Sequence, residues 1–287
     1  MTHHRYIDID GHTIFYRESG PKDAPTIVLL HGYPSSSYSF RELIPQLADR
    51  YHVIAPDHLG FGFSDAPPID EFSYSFDALT TVTAGLLARL NLDRYALYLH
   101  DYGAPIGWRL AVANPEAITG IVSQNGNGYE EGFVEDFWAP IWLHGREPSL
   151  EHETALRGAL SLDVIRWMYV TGEPDETLVS PETWQRDHAL LSRPGNDRVQ
   201  LALFGDYINN VAQYKQLHTY FRATRVPLLA VWGAGDPTFR PEGAQAFTKH
   251  LPDAQVHLLK AGHFALESQV DEISRLVRDF LAGVATT

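Results

Sequence analysis

The run Leu97-Tyr98-Leu99-His100-Asp101-Tyr102-Gly103-Ala104 decides how this chain folds. The apolar stretch Tyr95–His100 reads as a short buried strand, and Gly103–Ala113 reads as a helix stopped by Asn114-Pro115. Strand passes into helix with almost no connection. A sharp turn at that point lifts one side chain above the sheet edge, where backbone N–H groups and a helix N-terminus converge. The lifted residue is Asp101, and Gly103 permits the close approach that such a turn requires. Taken alone, the same aspartate could do no more than cap the following helix.

The same rhythm extends in both directions. Residues 5–10 and 13–18 read as a hairpin joined at Gly11-His12, and Thr26–Leu30 as a buried strand between Pro25 and Gly32. Phe40, Leu43, Ile44 and Leu47 recur at helical spacing, residues 52–55 form another strand, and a Gly-rich loop spans Gly60 to Ser64. Phe76, Leu79, Val82, Leu86, Leu87 and Leu90 mark a long amphipathic helix, and residues 119–124 are the next strand. Alternation of strand and helix after a hairpin predicts an α/β fold: a mostly parallel central sheet flanked by helices. Residues 127–222 break the pattern, with few strand signals, many aromatics and prolines at 140, 148, 174, 181 and 194. They read as a helical insertion after the sixth strand. The rhythm resumes with strands at 227–232 and Gln255–Leu259 and helices at 241–250 and 269–281. The expected organisation is a core of residues 1–126 and 223–287 with residues 127–222 as a helical cap.

Composition narrows the function. The chain has 287 residues, 22 Lys and Arg against 36 Asp and Glu, a net charge of −14, 44% hydrophobic residues and no cysteine. A disordered chain would carry too little apolar surface to offset its ordering entropy. An acidic chain without clustered Lys and Arg is not built to hold phosphate backbones, so no nucleic-acid partner is expected. Lack of cysteine removes disulfides, thiolate nucleophiles and thiolate metal sites, and fits a cytoplasmic location. The N-terminus lacks the apolar stretch of a signal peptide, and no apolar run approaches the roughly 20 residues that cross a bilayer, so no membrane partner is expected. His3 and His4 receive no role.

Two distant features give Asp101 a context. Gly235-Asp236 sets an acid just beyond a C-terminal strand, and Gly262-His263 sets a histidine in the loop after the last one. Carboxylate on the turn, acid, then histidine is the chain order of a hydrolytic triad. His31-Gly32-Tyr33-Pro34 follows a buried strand, so the backbone N–H groups of Tyr33 and Tyr102 form the natural oxyanion-hole pair. By itself the His31-Gly32 pair reads equally well as a strand-ending turn with a structural histidine.

Through His31-Gly32-Tyr33-Pro34, Asp57-x-x-Gly60-x-Gly62-x-Ser64-Asp65, His100-Asp101-Tyr102-Gly103, Gly235-Asp236 and Gly262-His263, the chain resembles the α/β-hydrolase fold. More narrowly, it is similar to the aspartate-nucleophile branch, the epoxide hydrolases and haloalkane dehalogenases. The resemblance covers essentially the whole chain and implies Asp101 as nucleophile, Asp236 as acid and His263 as base. In some dehalogenases the acid follows the sixth strand. The matching residue here is Asn125, which cannot serve as an anion, so Asp236 keeps the role, with Glu130 and Glu131 as the fallback. Asp57, Asp65 and Asp93 read as turn residues.

The residue type carries its own chemistry. A serine that attacked saturated carbon would form an ether, which water does not cleave. A carboxylate forms an alkyl ester, which water cleaves at the carboxyl carbon. The expected partners are therefore a small apolar to moderately polar epoxide or alkyl halide and water as co-substrate, with no metal or organic cofactor. A homodimer is a further expectation on which the sequence bears little.

The leaving group separates the two substrates. A halide calls for N–H donors, which dehalogenases commonly supply from a Trp after the nucleophile and an Asn after His-Gly or a second Trp in the cap. Tyr102 and Tyr33 stand at the first two of these positions, although the cap carries Trp138, Trp142, Trp167 and Trp184. An epoxide oxygen calls for a proton donor, which the resemblance assigns to two cap tyrosines. Asp206-Tyr207-Ile208-Asn209 resembles the second-tyrosine segment, so Tyr207 is the first choice, with Tyr169 as partner and Tyr129 as alternative. Leu99 points the other way, since dehalogenases commonly carry an aliphatic there. His31, Trp138 and Trp167 are the expected substrate-binding residues. The reading is an epoxide hydrolase; the alternatives are a haloalkane dehalogenase, another hydrolase of the fold, or a binding protein without turnover.

Overall fold

The short β-branched and aromatic runs pair into one eight-stranded sheet in the computed structural model, which describes residues 1–284. The strands are β1 (His3–Ile9), β2 (His12–Ser19), β3 (Thr26–Leu30), β4 (His52–Pro56), β5 (Tyr95–His100), β6 (Ile118–Gln124), β7 (Leu228–Gly233) and β8 (Gln255–Leu259). Their order across the sheet is β1-β2-β4-β3-β5-β6-β7-β8. β2 runs antiparallel to both of its neighbours, β1 and β4; from β4 onward the pairing is parallel. Pairing of Leu30 with Leu99, His100 with Gln124 and Gly233 with Leu259 brings the C-terminal ends of five strands to one edge. In open α/β sheets that edge is where ligand sites form.

Period-two alternation explains why both faces are covered. Ile27, Leu29, Tyr98, Val122 and Val231 face one way, onto Leu43, Ile44 and Leu47 of α1 (Leu43–Leu47) and the apolar stripe of the C-terminal helix. Val28, Leu30, Leu97, Leu99, Ile121 and Trp232 face the other way, onto α2 (Phe76–Arg89) and α3 (Gly103–Ala113). Fully burying each such side chain contributes about 1.5–3 kcal/mol. Contact between α3 and β5 is close: a Cβ on Gly107 would lie 2.2 Å from Leu99 Cδ2. The helix that leaves the Asp101 turn is thus pressed onto the strand that enters it.

Between β6 and β7 the chain forms α4 (Glu135–Arg146), α5 (Leu150–Leu156), α6 (Leu162–Val170), α7 (Pro181–Leu191), α8 (Asn196–Asp206), α9 (Ile208–Ala212) and α10 (Tyr214–Thr224). No strand is formed there; an isolated bridge joins Phe133 to Phe239. Polar contacts stitch this helical stretch to the loops at the sheet edge. Tyr33 Oη donates to Ala159 O (2.9 Å), Arg186 Nη1 to Ser36 Oγ (2.9 Å) and the Phe76 N–H to Asp206 Oδ2 (2.7 Å). After β7 come α11 (Pro241–Ala246) and, after β8, α12 (Leu266–Val284).

Strand ends differ from the sequence reading by one or two residues, and the two C-terminal helices differ more. The helix expected over 241–250 is α-helical only to Ala246 and tightens to a 3₁₀ turn over Phe247–Lys249. The last helix starts at Leu266, three residues early, and bends at Gln269 (φ −126°). Buried Leu266 and the Arg41–Glu267 ion pair (2.6 Å) dock its first turn on the core. Among the described residues no helix is long and apolar enough to cross a membrane.

Candidate active site

Asp101 occupies the turn after β5 in the left-handed region, with φ +48°. For a residue with a Cβ that conformation costs about 1–3 kcal/mol and persists only where the surroundings impose it. Here they do. A Cβ on Gly103 would lie 2.0 Å from Leu30 O, and one on Gly32 would lie 2.3 Å from Asp101 Cβ. Both glycines therefore let the turn and the loop after β3 touch backbone to backbone. The contact delivers the Tyr33 N–H to Asp101 Oδ2 at 2.9 Å, and the Tyr102 N–H also bonds this carboxylate. Tyr33-Pro34 is a cis peptide. Burial pushes the Asp101 carboxyl up to about 6, although His263 and the two amide donors pull the other way.

Loops after β7 and β8 bring an acid to a histidine. His263 Nδ1 bonds Asp236 Oδ2 at 2.8 Å, and both side chains are fully buried. The other Asp236 oxygen accepts the Thr238 N–H (2.7 Å), Thr238 Oγ1 (2.7 Å) and the Phe239 N–H (3.1 Å). Asn125 Nδ2 donates to Oδ2 at 2.7 Å while Asn125 Oδ1 accepts the Gly233 N–H at 2.9 Å. Five hydrogen bonds compensate the burial of this carboxylate. Burial lowers the affinity of His263 for a proton, but Asp236 and then Asp101 outweigh it, and the imidazole pKa is raised. His263 Nε2 is buried without a hydrogen-bond partner. An Nδ1 fixed by an acid and a free Nε2 leave an imidazole of defined tautomer that can accept a proton at Nε2.

The backbone of His263 is held as well. Its carbonyl oxygen lies 3.0 Å from His100 Nε2 and 3.4 Å from Gln124 Nε2, and Tyr98 Oη donates to Gln124 Oε1 at 2.6 Å. His31 works beneath the loop rather than in a ligand site. Its Nε2 accepts the His58 N–H (3.0 Å), Nδ1 meets Gly32 O (3.1 Å), and burial pulls its pKa down to about 3.

Asp101 opens onto a small, largely apolar cavity. Its walls are Tyr33, Tyr102, Thr238 and Phe239 from the sheet edge, and Phe137, Trp138, Ile141, Leu156, Ala159, Val164, Met168 and Phe204 from the helical stretch. Of the aromatic residues singled out from the sequence, Trp138 lies on this wall, but its indole N–H donates to Thr238 O (2.9 Å). Trp167 does not: it is 40% exposed and stacks on Phe137 from outside. Tyr169 is not brought there either. Its ring stacks on Phe264 at 3.8 Å and its hydroxyl donates to buried Asp187 at 2.5 Å. Tyr129 bonds His250 and stacks on His218. Tyr207 is buried against Trp138 (4.4 Å between ring centroids), Phe76 (5.4 Å) and Tyr102 (5.8 Å), and borders a neighbouring cavity with Arg109 and Asn210. Burial, then Tyr214 and Asp101, raise its pKa. Among the described residues no group of three or more His, Asp and Glu side chains is placed to hold a metal ion.

Sequence reasoning missed Thr238 and the bridging role of Asn125. The run Asp236-Pro237-Thr238 carried a usable signal, since Asp side chains commonly bond the backbone two residues on. Asn125 was singled out as a vacated acid position, and nothing in its spacing showed that it would bind the acid's replacement.

A family model described as alpha/beta hydrolase fold matches residues 25–269. An uncharacterized hydrolase of Saccharomyces cerevisiae is 40% identical over 276 residues, 95% of this chain and 94% of that protein. Haloalkane dehalogenase DbeA from Bradyrhizobium elkani superposes with a TM-score of 0.81 at 23% identity, over 100% of this chain and 99% of its own. Epoxide hydrolase A from Mycobacterium thermoresistibile superposes with a TM-score of 0.75 at 24% identity, over 99% of both chains. At such identities the two likenesses speak for the fold alone.

Proposed function

The chain belongs to the alpha/beta hydrolase fold family, and within it we propose an enzyme that opens epoxides to vicinal diols through an ester on Asp101. The observation that carries this reading is the Asp101 carboxylate on its strained turn, with the Tyr33 and Tyr102 N–H groups on it and the His263–Asp236 pair beside it. In the first step an Asp101 oxygen attacks a ring carbon and the carbon–oxygen bond of the epoxide breaks. The released oxygen takes a proton from a phenol, which we assign to Tyr207. In the second step His263 Nε2 takes a proton from water, whose oxygen adds to the Asp101 carboxyl carbon. The two amides hold the oxyanion, and its collapse breaks the ester bond. The expelled product oxygen takes the proton from His263, and the proton left on the Asp101 carboxyl returns to the Tyr207 phenolate. The diol leaves, and carboxylate, imidazole and phenol are restored. Residues 127–222 act as a cap that supplies most of the apolar wall.

Loss of donors supports epoxide over halide. Trp138 is the tryptophan on the wall, and its N–H is committed to Thr238 O. Tyr33 Oη is committed to Ala159 O, and Tyr169 to Asp187. What remains near Asp101 is phenolic: Tyr207, and Tyr102, whose hydroxyl is buried without a partner. Haloalkane hydrolysis by the same two steps is the second reading, favoured by the aliphatic Leu99 two residues before Asp101. A panel of small epoxides and haloalkanes, read as diol formed and halide released, tests the choice. Diol without halide release is expected; halide release without diol overturns the epoxide reading.

A further inference from the structure

Glu173 follows α6 and is remote in sequence from every residue of the triad. Yet its Oε1 accepts the N–H of Gly262, the residue before His263, at 2.7 Å. The residues before it press on both triad loops. A Cβ on Gly262 would lie 2.1 Å from Thr171 O, and a Cβ on Gly172 would lie 2.1 Å from Gly235 O. Gly172 has φ +84°, and Gly235 precedes Asp236. The turn Thr171-Gly172-Glu173 is therefore wedged backbone to backbone between the acid loop and the base loop. The two loops also bond each other, with Gly235 N–H donating to Ala261 O at 2.9 Å.

From this wedge we infer that Glu173 is a positioning residue for His263: through the Gly262 N–H it fixes the base loop from the helical side. His100 and Gln124 hold the His263 carbonyl, so the loop is gripped on both sides of the peptide that joins Gly262 to His263. The helical stretch then contributes to the hydrolytic half-reaction as well as to the pocket wall. The step affected is the one that uses His263. Attack by Asp101 is not, because Asp101 is held by Tyr33 and Tyr102 instead. This inference rests on the two-step reading proposed above.

The test compares Glu173→Ala, which removes the acceptor, with Glu173→Gln, which keeps an oxygen at the same reach. Single-turnover measurements with an epoxide separate ester formation from ester hydrolysis. E173A is expected to slow hydrolysis by about 10- to 100-fold and to change ester formation by less than about threefold, as a displaced catalytic group does. E173Q is expected to restore hydrolysis to within about threefold of wild type. Equal slowing of both steps, or an E173Q as impaired as E173A, overturns the inference. If E173A does not fold, Glu173→Ser takes its place, since its short side chain cannot reach Gly262. A second readout needs no substrate: the ¹⁵N imidazole and Gly262 amide signals of the full chain. These should shift in E173A and return in E173Q; signals unmoved in both variants overturn the inference even if wild-type enzyme forms no ester. A wild type that forms no ester, with the signals moving as expected, removes the two-step reading and leaves the positioning intact.

Discussion

Replacing Gly32 with alanine tests how tightly the Asp101 carboxylate is gripped. The added methyl would lie 2.3 Å from Asp101 Cβ and 2.6 Å from both Asp101 Oδ2 and the Tyr102 nitrogen. Non-bonded carbons sit about 3.5–4.0 Å apart, so the loop after β3 and the turn after β5 must separate by more than ~1 Å. The Tyr33 N–H now lies 2.9 Å from Oδ2. Moved by that amount it falls outside hydrogen-bond range. Loss of one oxyanion-hole donor costs about 10²–10³-fold in turnover, and overpacking costs about 1–3 kcal/mol of stability. Against a total of about 5–15 kcal/mol the variant still folds. The assay is steady-state turnover, with folding followed by urea denaturation. A folded Gly32→Ala protein with turnover within about threefold of wild type would refute the reasoning, because the two amides would then not be what the chemistry uses.

Three further predictions concern protonation and the cap. Ester formation needs ionised Asp101, whose carboxyl is pushed up to about 6, so its single-turnover rate should be flat above that pH and fall below it; a rate that stays level down to pH ~4, the ordinary Asp range, contradicts the burial argument. Hydrolysis needs neutral His263, and esterification removes the Asp101 charge that helps raise the imidazole pKa. The acidic limb of hydrolysis should therefore lie below the His263 titration measured by NMR in free enzyme, and a limb above it contradicts the coupling. Tyr169→Phe should leave both rates within about threefold of wild type yet lower stability by about 1–3 kcal/mol, because it strips the donor from buried Asp187. A selective loss of ester formation in that variant would return Tyr169 to the proton-donor role.

Much of this architecture was legible because it is written in local pattern. Tyr95–His100 and Gly103–Ala113 have the bounds that apolar runs and the Asn114-Pro115 stop imply. The sheet follows from strand–helix alternation, and the order Asp101, Asp236, His263 from their places at strand ends. The cap aromatics were less legible. Trp138, Trp167 and Tyr169 sit in helices and Tyr207 at the junction of α8 and α9, where periodicity shows that a face is buried without showing what it is buried against. Tyr169 turned to Asp187, eighteen residues on, and Trp167 turned outward. His31 was drawn to the site by its motif, but its two ring nitrogens are spent on the backbone of His58 and Gly32. Contacts such as Asn125 with Asp236, or Glu173 with Gly262, join residues about a hundred positions apart. No spacing rule anticipates them.

The covalent ester is the centre of the account, and a variant that makes it but cannot cleave it exposes it most directly. His263→Gln removes the base at Nε2 while Tyr33 and Tyr102 still hold the Asp101 carboxylate. Intact-protein mass spectrometry of this variant after exposure to an epoxide that the wild type consumes should show a gain equal to the whole substrate mass. Peptide mapping should place that gain on Asp101. An unmodified protein, or an adduct on any other residue, would contradict the proposed mechanism.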